Sequence, residues 1–504
     1  MQVTRSLLAA LVAMAALPMT GEETRTRQLS LEDCIQLALQ HNLDIQVVRR
    51  EPAIAELNLS LAYAGYDPVF SAGYNHFFNQ NPGAFNPNIN LFIPGSQTEG
   101  DAANLGLSGL LPTGLSYSLT GQTAESEGSQ RTVIGNTVVD VPFQNANSSA
   151  GIQLRQPLLK NFWIDGTRLN ITLSRKNLKI SDLVVRRQIM TTVAAVEQAY
   201  YQLIAAMDAV NVQRAALQLA EKLLAENRKR VEVGVLAPLD EKEAESQVAA
   251  SRAALLGAEN SVTTAQNALK QLFTANYLEW HGVLLEPTAK LSALPQTFNR
   301  QDSWQRGLSL RPDLEQARIE LEKSNVSLRY TKNQLFPQLD VVGSYGQSGA
   351  GNTFGDSLRG TADAEGTRYG YGVELSIPLS NRAARQRHRI AKEQIEQQVL
   401  RLKQLEQSIL VEIDNAIAQA RTSLQQVEAS KAAVEFAEQA LAAEQKKLES
   451  GKSTSFQVLT LQRTLTQRRY EYLSALTGYN VSLARLALSE GSTLERNNIT
   501  VEVR

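Results

Sequence analysis

The sequence predicts a mixed fold in which long coiled-coil α-helices alternate with membrane-spanning β-strands, built as a two-fold internal repeat. Three observations predict it. The chain resembles itself in a fixed order of parts. Two helical runs of roughly 70 residues carry a seven-residue apolar period, and blocks of alternating residues interrupt both halves at matching points.

The repeat organises everything else. HNLDIQ around Asp44 matches LRPDLEQ around Asp313, and YDPVFSAGY matches LFPQLDVVGSY with Pro68 against Pro337, both at an offset of 269 residues. GIQLRQPLL matches GVELSIPLS, Pro157 against Pro378, at an offset of 221; VEVGVLAPLD matches LESGKSTSFQ, Gly234 against Gly451, at 217. The first half therefore carries 48 extra residues between its two prolines. Each half reads as helix, strands, very long helix, turn, helix.

Residues 161–231 contain no proline. Ile189, Val193, Val196, Tyr200, Leu203, Met207 and Val210, then Leu217, Leu224 and Val231, trace a heptad seam, with Arg214, Glu221 and Arg228 filling in. Val427, Val434, Leu441 and Leu448 repeat it in the second half. At 1.5 Å per residue each run reaches about 105 Å. Shorter helices are expected at 31–64, 240–273, 303–334 and 456–488. Val248, Leu255, Val262 and Leu269 keep the seven-residue spacing, as do Val458, Leu465, Tyr472, Tyr479 and Leu486. These seams are narrow and Ala-rich and much of each helix is polar, which suits a wall one helix thick with water on both surfaces.

Between the helices, alternating segments start at Pro68, Ala103, Leu115 and Ser149 in the first half and at Pro337 and Tyr369 in the second. Each is about nine to eleven residues, the length that crosses a bilayer core as a tilted strand. Phe70, Tyr74, Phe77, Tyr117, Tyr345, Tyr369 and Tyr371 are candidates for an aromatic girdle. Alternation with Gly and Ser also suits a soluble sandwich. Loop lengths favour the barrel: the links at 79–102, 126–148 and 348–368 read as long, whereas Pro112–Gly114 is tight. Four strands plus two cannot close a roomy barrel alone, so an oligomer follows, and a trimer would supply about eighteen strands, wide enough for an aqueous channel.

The ends and the composition narrow the setting. Arg5 precedes the apolar run Leu7–Leu17 and a polar stretch, the order of a secretory signal, expected over 1–21; Ala13 and Ala15 offer one cleavage option. No lipobox cysteine follows, so no lipid anchor is expected. No later run of about eighteen apolar residues exists, so any membrane crossing is by strands. Lys and Arg number 50 against 51 Asp and Glu, a net charge of −1, which gives no basic field for nucleic acid. Cys34 is the single cysteine, and four histidines (His41, His76, His281, His388) are scattered, so neither a metal nor a cofactor is expected.

The tetrapeptide GKST at 451–454 invites a phosphate-loop reading. That loop needs a glycine where Lys446 stands, after a strand rather than the helical EQALAAEQKKLES. No Ser/His/Asp order or paired carboxylates emerge elsewhere, and an enzyme is not expected.

The ordered motifs LSLEDCIQLALQHNLDIQ, FPQLDVVGSYG with YGVELSIPLSN, and the pair VEVGVLAPLD and LESGKSTSFQVL resemble the TolC-type outer-membrane efflux proteins, or outer-membrane factors, over nearly the whole mature chain. The resemblance implies a homotrimer with a β-barrel in the outer-membrane lipid and an α-helical tunnel in the periplasm. It implies partners too, a periplasmic adaptor and an inner-membrane transporter, in a tripartite efflux or type I secretion system. The domains expected are a first-repeat helix and belt (22–65), barrel strands (66–159), a tunnel hairpin (160–273, tip 232–239) and an equatorial segment (274–302). The second repeat supplies a helix (303–335), two barrel strands (336–380), a tunnel hairpin (381–488, tip 449–456) and an equatorial tail (489–504) whose NNITVEVR could add a strand.

GKST then becomes a hairpin turn, with Gly451 capping one helix and Ser455 or Thr454 the next; Gly234 and Pro238 form the first-half equivalent. The resemblance assigns adaptor contact to Val233, Gly234, Val235, Ala237, Gly451, Ser453 and Thr454. It assigns a periplasmic gate to Asp240, Lys452, Gln457 and Thr460. The family's two acidic residues after the second tip are Gln457 and Thr460 here, which puts an acidic entrance in doubt, and the basic partner of Asp240 falls at Ser453 beside Lys452, so a weaker Asp240–Lys452 lock is expected. A coiled-coil scaffold of the envelope is the alternative; it explains the heptads but not the paired strand blocks.

Overall fold

The computed structural model describes residues 25–87, 90–93, 95–134 and 137–500; the expected signal segment and the final residues of the tail lie outside them. In chain order the elements are β1 (Arg25–Leu29), α1 (Leu31–His41), α2 (Leu43–Val48), α3 (Glu51–Tyr63), β2 (Val69–Asn81), β3 (Ala84–Asn86), β4 (Leu91–Ile93), β5 (Ser96–Leu110), β6 (Ser116–Ile134) and β7 (Thr137–Pro157). The long helix α4 (Gly166–Glu232) and α5 (Pro238–Phe273) follow, then α6 (Tyr277–Trp280) and β8 (Val283–Pro287). The second half is α7 (Arg300–Leu310), α8 (Pro312–Asn333), β9 (Gln338–Gly351), α9 (Phe354–Ala362), β10 (Gly366–Ser376), α10 (Arg382–Glu449), α11 (Ser455–Glu490) and α12 (Thr493–Arg496). The repeat is plain in the lengths: α4 and α10 have 67 and 68 residues, and α5 and α11 have 36 each.

The chain forms two compact units. The first gathers residues up to Glu51, Asp182–Glu315 and the chain from Gln404. Its main core takes Cys34, Ile35 and Ile45 from the opening helices, Leu269 and Phe273 from α5, and from α4 the expected stripe Ile189, Val193, Val196, Tyr200 and Leu203. Tyr200 is fully buried, and its hydroxyl donates to the Leu29 carbonyl at 3.1 Å, which anchors β1; β1 in turn pairs in parallel with β8. Further along, Val427, Tyr479 and Leu483 form one cluster, and Leu223, Leu441, Leu448, Val458 and Leu465 another.

The α4 seam departs from expectation beyond Val210. Buried positions there are Ala220, Leu223 and Asn227, while Leu217 and Leu224 are half-buried and Arg228 is exposed. Leu223 packs against Leu441, Leu448, Val458 and Leu465 of the second-half helices, so the buried face there follows those partners and lies one residue before the strict heptad position. Two helices expected as continuous are broken. Asn42 separates α1 from α2: its Oδ1 accepts from the Ile45 N–H at 2.9 Å and its Nδ2 donates to the Leu272 carbonyl at 2.8 Å. Arg311 separates α7 from α8 because Pro312 lacks an N–H and drives the preceding residue to extended backbone, here ψ 121°. The freed Arg311 guanidinium then pairs with Asp313 and Glu412, both at 2.7 Å.

The second unit holds Pro52–Ser181 and Gln316–Lys403 and is built on one antiparallel sheet in the order β10-β9-β7-β6-β5-β2. All six expected strands are present, but β5, β6 and β7 run to 15, 19 and 21 residues. The segment 126–148 expected as a long loop is largely paired strand, with Gln130 opposite Val141 and Val133 opposite Val138. Likewise 79–102 holds strand extensions and the small β3–β4 hairpin, and 348–368 holds α9. Gly, Ser and Asn content suggested loops, whereas the period-two pattern of TVVDVPFQNANSS is what the ladder follows. The link at Pro112–Gly114 is tight as expected: Gly114 adopts φ +85° and donates its N–H to the Leu111 carbonyl at 2.8 Å. The tail residues 497–500 are not strand, and the remainder of the strand expected there falls outside the described residues.

Cys34 is wholly buried, and burial, reinforced by the neighbouring Asp33 charge, pushes its thiol up to about 12. The thiolate needed for alkylation is therefore scarce at neutral pH. Native protein is expected to resist maleimide labelling, with a single site appearing only on unfolding; mass spectrometry after timed labelling checks this.

Candidate functional site

Two surfaces carry chemistry beyond packing: the strand sheet, and the paired helical turns at 232–239 and 449–456.

Strand register places every second residue on one face. One cross-strand row runs Phe70–Leu107–Leu119–Ile152–Tyr345–Tyr369 through all six strands. It is apolar throughout, yet Phe70 is 67% and Tyr369 75% exposed. Tyr371, Val373 and Leu375 continue the exposed apolar surface on β10. The alternate rows are Val69–Ser108–Ser118–Gln153–Ser344–Gly370, Ser71–Gly106–Thr120–Gly151–Gly346–Arg368 and Gly73–Asn104–Gln122–Ser149–Ser348–Gly366, with Val69 on the edge strand their one apolar side chain. That face is small and polar, and near the helix-bearing end it holds an ion cluster in which Arg155 meets Asp340 at 2.7 Å and Glu374 at 2.6 Å. A soluble sheet buries its apolar face and wets the other; here nothing of the described chain covers the apolar one below α9. The terminal strands β2 and β10 each have a single neighbour.

The turns are built alike. At the end of α4, Gly234 takes φ +74°, its N–H donating to the Val231 carbonyl at 3.0 Å while the Val235 N–H reaches the Arg230 carbonyl at 2.8 Å. At the end of α10, Gly451 takes φ +70°, donating to Leu448 at 3.1 Å, and the Lys452 N–H reaches the Lys447 carbonyl at 2.8 Å. These are paired Schellman closures, which satisfy carbonyls that the helix end leaves free. Pro238 opens α5, and Thr454, rather than Ser455, caps α11, accepting from the Gln457 N–H at 3.4 Å. GKST is thus a helix stop and a helix start, not a phosphate loop.

Val233, Gly234, Val235, Ala237, Gly451, Lys452, Thr454, Gln457 and Thr460 are exposed, and Asp240 and Ser453 half-buried. Among the described residues Asp240 and Lys452 form no ion pair within one chain. The Asp240 carbonyl instead accepts from Asn227 Nδ2 at 3.2 Å, and the Ser455 hydroxyl donates to Asn227 Oδ1 at 3.0 Å. Asn227 and Ser455 are buried, so this one amide ties the first turn to the second. Sequence reasoning missed Asn227, although an amide at the core spacing of Ala220 and Leu223 was its signal. The Ser453 hydroxyl donates to Glu444 at 2.5 Å, and Lys447 pairs with Glu444 at 3.0 Å. Arg228 bridges Glu241 at 3.2 Å and Glu245 at 2.8 Å.

The family model for outer membrane efflux proteins matches residues 101–274 and 304–492. The chain belongs to that family. Members are outer-membrane proteins extending into the periplasm, and the exposed apolar face of the strand sheet has that setting. The outer membrane protein TolC of Vibrio cholerae is 23% identical over 239 residues, 47% of this chain and 52% of that protein, so the match spans about half its length. TolC of Escherichia coli K12 is 25% identical over 378 residues, covering 70% of this chain and 72% of that one. A crystal structure of CusC shares the fold at a TM-score of 0.66 and 17% identity, over 92% of each chain.

Nothing lies within 4 Å of a Cβ built on Gly234 or Gly451, so replacement is costly through backbone conformation alone. Gly234→Ala and Gly451→Ala are each expected to cost about 1–2 kcal/mol locally, read as faster amide exchange at the turn, with Asn in place of Gly costing less. Glu444 is held below its ordinary 4.5 by the Ser453 hydroxyl first and Lys447 second. Its folded value lies under the unfolded one, so this contribution is present above 4.5 and is lost as pH falls through the folded value. The protection factors at Gly451 and Lys452, that is exchange measured against the intrinsic rate at each pH, should fall in acid below 4.5, and Glu444→Gln should flatten that dependence.

Proposed function

We propose that three copies close edge to edge into an outer-membrane duct. In this reading the duct is the exit of a tripartite efflux or type I secretion system and passively conducts substrate received from an inner-membrane transporter through a periplasmic adaptor. The observation that carries it is the six-stranded sheet, apolar on one exposed face and polar on the other, with both edges unpaired. Because the strands alternate in direction across six positions, β2 and β10 run oppositely. Setting β2 of one copy beside β10 of the next continues the antiparallel ladder, and three copies give about eighteen strands with an aqueous interior. Such closure pairs every edge N–H and C=O, as hydrocarbon demands.

The turns are the docking surface for adaptor hairpins, through Val233, Gly234, Val235, Ala237, Gly451, Ser453 and Thr454. Support comes from Val233 at 72% and Val235 at 70% exposure, apolar groups that a solvent-facing turn has no need to present. Asp240, Lys452, Gln457 and Thr460 line the periplasmic gate. Since Asp240 and Lys452 do not pair within one chain, the lock joins Asp240 of one copy to Lys452 of its neighbour.

Cross-linking in mild detergent is expected to yield trimers, and planar bilayers to show discrete conductance steps; a solitary chain without conductance would point to an envelope scaffold instead. Asp240→Ala should raise single-channel conductance, and unchanged conductance would remove Asp240 from the gate.

A further inference from the structure

The outward face of the sheet changes character along the strands. From the helix-bearing end come the apolar row that begins at Phe70, then Ala72–Leu105–Gly121–Ala150–Gln347–Thr367, then Tyr74–Ala103–Thr123–Ser148–Gly349. The next row is charged: His76–Asp101–Glu125–Ala146–Gly351. The Tyr74 hydroxyl donates to Asp101 at 2.6 Å, and His76 Nδ1 lies 3.0 Å from the same carboxylate. Along β2 and β5 the outward side chains thus pass from Phe70 and Leu107 to Tyr74 and then to His76 and Asp101 within three rows, the profile of a lipid boundary.

Helix α9 lies on this transition, on the same outward face. Ser148 donates to the Ser357 carbonyl and meets the Thr361 hydroxyl, both at 2.5 Å, and the Phe354 N–H donates to Glu125 at 3.2 Å. Ala146 and Ser148 are buried beneath it. A Cβ on Gly349 would collide with the Thr361 and Ser357 backbone, and one on Gly351 with Asp356, so two bare strand positions let the helix sit flush. The inner side of α9 is Ser357, Gly360 and Thr361, all buried, whereas Leu358 is 51% exposed with Asp356, Arg359 and Asp363 around it. The polar side faces protein and a leucine faces out.

Depth agrees with the chemistry. Pro157 to Ser148 is nine residue steps of β7, about 30 Å along the strand and about 23 Å along the normal at a 40° tilt. That is close to the roughly 25 Å height of a lipid-facing band. The opposite margin is marked by Trp163, 79% exposed, and Leu379, 99% exposed, just past the strand ends.

We propose that α9 is an interfacial helix seated in the outer leaflet of the membrane. Leu358 inserts among acyl chains and Asp356, Arg359 and Asp363 stay in the headgroup layer, so the helix fixes how deep the barrel rides. The inference rests on the barrel reading above. Lipid is the occupant because the surface is continuous with the exposed apolar rows.

The test uses full-length protein carrying Cys34→Ala with Leu358→Cys or Asp363→Cys, nitroxide-labelled and reconstituted in vesicles of phosphatidylethanolamine and phosphatidylglycerol. At position 358 relaxation by oxygen should exceed relaxation by a water-soluble nickel chelate severalfold, and at 363 the order should reverse. A label at 358 that favours the nickel chelate, or that both reagents fail to reach because a second copy or another protein covers it, would overturn the proposal. Conductance of the same vesicles separates the two readings. Conducting vesicles with a water-like 358 sink the interfacial helix alone, and vesicles that never conduct sink the barrel and the helix with it.

Discussion

A strand at the margin of a sheet carries N–H and C=O groups that water satisfies and hydrocarbon does not, at several kcal/mol for each group left bare. This constraint governs the molecule. The sheet of β10-β9-β7-β6-β5-β2 has two such margins and an exposed apolar face, and the proposed closure of like chains margin to margin is what would satisfy both in lipid. The polar face of Ser, Gly, Thr, Asn and Gln then becomes an inner wall, with Arg155, Asp340 and Glu374 clustered at its helix-bearing end.

The helical hairpins follow a different economy. Their seams are narrow and Ala-rich, and burial concentrates where several elements meet, as around Tyr200, Tyr479 and Leu448. Where the seam reaches the turns, one buried amide, Asn227, replaces an apolar residue and satisfies partners on both. A core Asn specifies register at some cost in stability, and here it aligns the first turn with the second.

Much of this was legible in the residues. The heptads gave α4, α5, α10 and α11, the prolines and glycines gave the turns, and alternation gave six strands in the right places. Four features were not legible, for physical reasons. Strand length was underestimated because Ser, Asn and Gly in 126–148 look like loop, although a ladder wet on both sides tolerates them. The shift of the α4 stripe after Val210 depends on the partners Leu223 meets, Leu441, Leu448, Val458 and Leu465, which a period within one helix does not fix. The tie between the two turns was hidden because Asn227 reads as one more polar helix residue, and its bonds to the Asp240 carbonyl and the Ser455 hydroxyl are a matter of side-chain geometry rather than spacing. Helix α9 was hidden inside an apparent loop because its buried side is Ser, Gly and Thr.

The two halves carry hairpins of nearly equal length, yet one bears four strands and the other two. A chain that must enter and leave a sheet at the same end gains or loses strands only in pairs. Bore width in the proposed duct would therefore be quantised: each extra strand hairpin per subunit is multiplied by the symmetry, and the aperture grows in discrete steps without any change in the lengths of the helical hairpins.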